Sequence, residues 1–201
     1  MNKEMNKEKV TIIIFCLFLP LFLLLLSYQL TLQFYPQTEN QQQTIKFVQG
    51  RTQTISLQNN FNYTSAEFSH LQDVEKVMST TEYLFLISLL TTLTILGINF
   101  HNKLFLKKLL RYGGIATLIA TGMVLLFLLF AFGSSFTIFH QLFFPQGNWQ
   151  FPFDSLLIQT FPLEFFISVS KTIFIQALVY GILFIGGSFL FRNGTITRRF
   201  V

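Results

Sequence analysis

Residues 10–32, VTIIIFCLFLPLFLLLLSYQLTL, form an apolar run long enough to cross a bilayer as one helix. About 20 such residues, rising about 1.5 Å each, span a hydrocarbon core of about 30 Å. Working outward from that run, residues 83–100, 113–132 and about 166–191 repeat the pattern. A chain of 201 residues that is 51% hydrophobic and 11% charged, with 27 Phe, carries more apolar surface than one soluble core can hide. The reading is therefore an all-α membrane protein with four transmembrane helices in a single domain over 1–201. Pro20 falls mid-span and predicts a bend there. A cleaved secretory signal competes for residues 1–32, but the run is longer than a signal's apolar stretch and no small-x-small site follows it, so an uncleaved anchor is expected.

The cations set the orientation. With the N-terminus inside, Lys3, Lys7, Lys9, Lys103, Lys107, Lys108, Arg111, Arg192, Arg198 and Arg199 lie on the inner side, against Lys46, Arg51, Lys76 and Lys171 outside. The positive-inside rule then predicts a multi-pass cell-membrane protein with both termini cytoplasmic. The net charge of +5 is a topology signal and gives no reason to expect a nucleic-acid partner.

Two segments are left on the extracytoplasmic side, 36–81 and 133–165. The first opens Gln-rich and continues TIKFVQGRTQTISL, whose apolar spacing around Gly50 predicts short strands or a hairpin. A helix over 64–79 follows, with Thr64 and Glu67 as a capping box and Phe68, Leu71, Val74 and Met78 as its apolar stripe. The expected cap is thus a small α/β unit. The second segment, FTIFHQLFFPQGNWQFPFDSLLIQTFPLEFF over 136–166, reads as an interfacial lid over 136–165. It prolongs the third span to carry His140, turns at Pro145–Gly147, and places Asp154 as the N-cap of a short helix ended by Pro162. Glu164 opens the last span.

Ionisable groups at a lipid boundary are costly unless each has a partner or a task. His70 and Asp73 share a helical face, three positions apart, so the carboxylate can orient the imidazole; an incidental pair on a solvated face has the same spacing. Trp149 supplies an indole N–H. Cys16 lies alone within the first span, which excludes a disulfide. His101 sits at the inner end of span two, where a headgroup-level histidine needs no function, and Asn62–Thr64 matches a glycosylation sequon. The glycines at 113, 114, 122, 181, 186 and 187 predict close helix contacts. No P-loop, GxSxG, HExxH or GxGxxG occurs, so ATP hydrolysis, serine acyl-enzymes and HExxH-type zinc proteolysis lose their usual markers, and no cofactor is expected.

AEFSHLQDVEKV after the first outer segment, followed by FHQLFFPQGNWQFPFDSLLIQTFPLEFF between spans three and four, resembles the lipoprotein intramolecular transacylase family of low-GC Gram-positive bacteria. The similarity covers most of the chain, diffuse in the spans and specific in those two motifs. It implies an acyltransferase in the extracytoplasmic leaflet whose substrates are diacylated bacterial lipoproteins. The reaction implied moves the sn-2 acyl chain of the diacylglyceryl-cysteine to the α-amine of that N-terminal cysteine, giving the lyso-form. The family's two histidines correspond to His70 and His140. An amine attacking an ester needs a base, and imidazole titrates in the right range. The expected catalytic pair is then His70 as base with His140 as oxyanion or leaving-group donor, supported by Asp73, Trp149 and Asp154.

Two other classes fit the residues. A non-catalytic polytopic partner or anchor would present 36–81 to another protein. A metal-dependent lipid hydrolase would use His70, His140 and Asp154 as ligands.

Overall fold

The computed structural model describes residues 2–51 and 62–191. Over these the chain forms α1 (Asn2–Phe34), α2 (Glu39–Val48), α3 (Ser65–Ile98), α4 (Lys103–Phe143), α5 (Leu156–Thr160) and α6 (Leu163–Ser188). Four of them, α1, α3, α4 and α6, are long and apolar enough to cross a membrane. Their lateral surfaces stay apolar and exposed, as at Leu17, Leu90, Leu126 and Phe130, which is the surface that lipid covers. Helix α1 continues through Pro20.

Small residues let the helices approach. A Cβ on Gly113 would lie 2.6 Å from side-chain atoms of both Leu19 and Phe15, and one on Gly114 would lie 2.7 Å from the Gly181 carbonyl oxygen. These positions bring α4 against α1 on one side and α6 on the other. Gly122, Gly186 and Gly187 do not share the role: a Cβ on Gly122 would come no closer than 3.9 Å to its neighbours, and nothing lies within 4 Å at the other two. Several interior hydroxyls are satisfied by their own helix, whereas Thr31 Oγ1 donates across to Gln176 Oε1 at 3.4 Å and the buried Thr92 Oγ1 has no hydrogen-bond partner. Ser27, Thr117 and Thr121 donate to carbonyls four residues back, at 2.8, 2.9 and 2.6 Å.

The two ends of the bundle differ. At one, Lys108 meets Glu8 at 3.3 Å over a core of Phe15, Leu19, Leu23, Phe105 and Leu109. At the other, α2, the start of α3, the end of α4 and residues 144–162 form a cap around Phe47, Val48, Phe68, Leu71 and Leu157.

The cap corrects one expectation. Where TIKFVQGRTQTISL predicted short strands, residues up to Val48 form α2, and among the described residues there are no strands. The alternation of Ile45 and Phe47 misled because the helix start is set upstream. Thr38 caps Gln41 N–H and the Gln41 side chain returns to Thr38 N–H, closing a capping box. Gly50, at φ +66, ends the element in a turn. The second arm of the expected hairpin, 52–57, lies outside the described residues. The helix expected over 64–79 is present as the first part of α3, with Thr64 and Glu67 closing its capping box.

Length decides what stands clear of lipid. Helices α3 and α4, with 34 and 41 residues, are about 50 and 60 Å long against a core of about 30 Å. Each therefore outruns that core by several turns. Helix α4 also kinks at Ala131 (φ −142, ψ 45). No proline is there; the AFGSS run weakens the ladder, and Ser135 Oγ donates back to the Ala131 carbonyl at 2.9 Å.

Candidate active site

The start of α3 is fixed twice over. Thr64 Oγ1 accepts from Glu67 N–H at 3.3 Å, while Glu67 Oε2 accepts from Thr64 N–H at 2.7 Å and from its hydroxyl at 2.8 Å. With Phe68 and Leu71 committed to the cap core, His70 turns toward α4 and is 6% exposed. Its neighbours are not those of a solvated face: Phe144 lies edge-on at 4.8 Å and Phe151 at 5.7 Å between ring centroids.

His140 arrives on the segment beyond the α4 kink and is 9% exposed. Its Nδ1 sits 2.8 Å from the Phe136 carbonyl oxygen. A carbonyl only accepts, so Nδ1 carries the hydrogen and the lone pair of the neutral ring is on Nε2. Trp149 packs on this ring at 4.8 Å and Phe136 at 4.0 Å. The two imidazoles lie 6.3 Å apart, their planes inclined by 29°.

Residues 144–162 close over the pair and are stapled to α3 on both sides of His70. Gly147 (φ +79) makes the turn and its N–H reaches the Phe144 carbonyl at 3.0 Å. Asp73 Oδ2 then accepts from Gln146 Nε2 at 2.9 Å and Asn148 Nδ2 at 2.8 Å, while Oδ1 takes Lys76 at 2.9 Å. One turn on the other side of His70, Glu67 Oε1 accepts from Leu157 N–H at 2.8 Å. Gln41 Nε2 donates to the Thr160 carbonyl at 2.8 Å, which ties α2 to the same segment.

Burial lowers the pKa of His70 to about 4, helped by the neighbouring His140 and opposed by Asp73 and Asn148. His140 is also lowered by burial, against the Phe136 hydrogen bond that favours its charged form. Burial thus favours the neutral form of both rings. Burial alone would raise Glu67, yet the N–H groups of Leu157 and Thr64 and the Thr64 hydroxyl hold its carboxyl below the usual range. Asp73 is lowered first by Lys76 and then by Asn148. His70 Nδ1 and Asn148 Oδ1 are buried without a hydrogen-bond partner.

The structure brings together His70, His140 and Trp149. Asp73 acts on His70 through its charge and through the loop it holds. Asp154 stands apart: it is exposed, and the N-cap of α5 is Ser155, whose Oγ accepts from Ile158 N–H at 3.3 Å. The ligand set His70, His140 and Asp154 does not assemble, and among the described residues no three His, Cys, Asp or Glu side chains gather as a metal site would require. Sequence reasoning missed Gln146, Asn148 and the long reach of Glu67. The signal for Gln146 and Asn148 was a polar PQGN turn inside an aromatic segment.

Two buried imidazoles lie together at one end of a bundle of four helices long enough to span a membrane, beside a tryptophan, and the fold is that of a multi-pass membrane protein. The family described as "Lipoprotein intramolecular transacylase Lit" matches residues 29–166, and the chain belongs to that family of acyltransferases. The fold is similar to the solved structure of the membrane integral lipoprotein intramolecular transacylase Lit from Bacillus cereus, with a TM-score of 0.73 and 16% identity over 92% of this chain and 96% of that one. Two histidine mutants of that protein are similar as well. The arginine variant gives a TM-score of 0.70 at 16% identity, covering 94% of each chain. The alanine variant gives 0.70 at 16%, covering 94% of this chain and 96% of that one. Among curated proteins, none matches the chain in sequence.

Proposed function

We propose that the cap end faces the extracytoplasmic leaflet and that the site moves the sn-2 acyl chain of a diacylglyceryl-cysteine onto the α-amine of the same residue, with His140 as base and His70 as the partner of the reacting ester. The carrying observation is two buried imidazoles whose ring centroids lie 6.3 Å apart. This assignment reverses the roles favoured by sequence. The Phe136 carbonyl leaves Nε2 of His140 as the lone pair, and the same carbonyl stabilises the imidazolium once a proton is taken. His70 is the more strongly held in its neutral form, which keeps one N–H to donate.

The steps balance within one substrate molecule. The amine nitrogen attacks the sn-2 carbonyl carbon, the N–C bond forms, and the amine proton passes to Nε2 of His140. The oxyanion accepts a hydrogen bond from His70, with the Trp149 indole as a second donor. The C–O bond to glycerol then breaks as His140 returns the proton to the departing oxygen. An amide and a free glyceryl hydroxyl result. No acyl-enzyme is needed, because donor and acceptor arrive together and the protein's main task is to bring them into contact.

The rings are 6% and 9% exposed. The substrate's amine therefore enters only as the 144–162 segment yields. The test is the mass of the N-terminal lipopeptide in a host without other N-acylating enzymes. Full conversion to the lyso-form by His70→Ala and His140→Ala at normal protein levels would refute the assignment.

A further inference from the structure

Glu67 is the group that the acyl-transfer scheme leaves unused. It is 1% exposed, carries its charge at the foot of α3, and stands one turn from His70 without taking part in the chemistry. The sequence explains it as half of a capping box, and a capping box needs only one of its oxygens. Oε2 does that work with Thr64. Oε1 crosses to a segment 90 residues away and accepts from Leu157 N–H at 2.8 Å, inside the cap core where water cannot compete.

Leu157 is the second residue of α5, a helix too short to hold its place alone. What it holds in place is the stretch before it. Phe151 packs on His70 at 5.7 Å and Trp149 on His140 at 4.8 Å, and both lie between the two staples, Asp73 at 146–148 and Glu67 at 157. Cutting either staple frees one side of the cover. The Glu67 staple is the buried one, so it is held by charge-assisted bonds that water does not weaken.

We propose that Glu67 is a positioning residue of the transferase: its buried carboxylate pins the start of α5 and so seats Trp149 and Phe151 against the two imidazoles. The proposal rests on the acid–base reading of the histidine pair for its effect on turnover, but not for its effect on the cover. Replacing the carboxylate by an amide of the same shape is enough to break the device. An amide has one accepting oxygen where two are in use, and its NH2 faces the donors of Thr64 or of Leu157.

The chain has a single tryptophan, so the emission of Trp149 reports on the cover alone. The experiment uses the full chain purified in detergent and compares wild type with Glu67→Gln in Trp149 emission and in lyso-lipopeptide formation. The expected result is a red shift of the emission together with a loss of turnover of about tenfold or more, most of it in kcat, equivalent to roughly 1.4 kcal/mol of barrier. Unchanged emission in a folded Glu67→Gln protein overturns the proposal, whatever happens to turnover, as does wild-type turnover with displaced emission. If Glu67→Gln fails to fold, Thr64→Ala takes its place. It removes the hydroxyl that braces Oε2, and with it the acceptor of Glu67 N–H, while leaving both carboxylate oxygens in place; it must shift emission and turnover in the same direction by a smaller amount, and a silent Thr64→Ala overturns the proposal. Should His70→Ala and His140→Ala prove fully active, the acid–base reading falls while the emission of the Glu67 variant still decides the staple.

Discussion

The middle of the bundle and its cap solve the same problem of burying polar groups in opposite ways. In the middle, Ser27, Thr117 and Thr121 turn back on the carbonyls of their own helices, and neighbours meet through glycines. Those three hydroxyls are satisfied before the helices pack. In the cap, hydrogen bonds cross between elements far apart in sequence: Glu67 to Leu157, Asp73 to Gln146 and Asn148, Gln41 to Thr160. The middle is therefore sensitive to volume, and the cap to the geometry of single bonds.

The largest effect expected lies in the cap. His140→Ala and His70→Ala each reduce lyso-form production by about 100-fold or more, the usual worth of a positioned acid or base, as read by mass spectrometry of the N-terminal lipopeptide. The contrast sharpens in the middle. Gly113→Ala drives a methyl into Leu19 and Phe15 and is expected to cost about 1–3 kcal/mol of stability. Gly186→Ala, with nothing within 4 Å of the added carbon, leaves the melting temperature in detergent unchanged. Equal melting points for the two glycine variants would break the volume argument.

Asp73→Asn comes next. It keeps the shape but loses charge at an oxygen that serves two donors, so turnover falls about three- to tenfold, up to roughly 1.4 kcal/mol, with protein level unchanged. A pH series follows from His70, whose pKa falls from 6.5 to about 4 on burial. Between those values the unfolded chain binds more protons than the folded one, so stability is fully present above pH 6.5 and drains away as the pH falls toward 4. The melting temperature of wild type is expected to drop over that window while His70→Ala stays flatter. The smallest effect belongs to Asp154→Ala, an exposed side chain away from both rings, which leaves turnover at the wild-type level.

The bundle was legible because its signal is additive. Long apolar runs gave the four helices, and the sequence's capping box at Thr64 and Glu67 marked the true start of α3. His70 and His140 could be singled out because charge-bearing rings are scarce in such surroundings. The cap was harder to read. Ile45 and Phe47 fit a strand pattern as well as a helix, and only the upstream Thr38–Gln41 box decides between them. Asp154 looked like a cap since it precedes an apolar run, but the next residue, Ser155, has the hydroxyl in place. The partner of Glu67 was invisible in principle. A hydrogen bond to a backbone N–H 90 residues away leaves no residue-type signature at the receiving end.

The ring orientation of His140 is set by main chain. Because its Nδ1 partner is the carbonyl of Phe136 rather than a carboxylate, substituting the residue at 136 removes an aromatic neighbour and leaves the acceptor behind. Which nitrogen of this ring holds the hydrogen is thus written into helical pitch, and drift in the surrounding side chains leaves that choice unchanged.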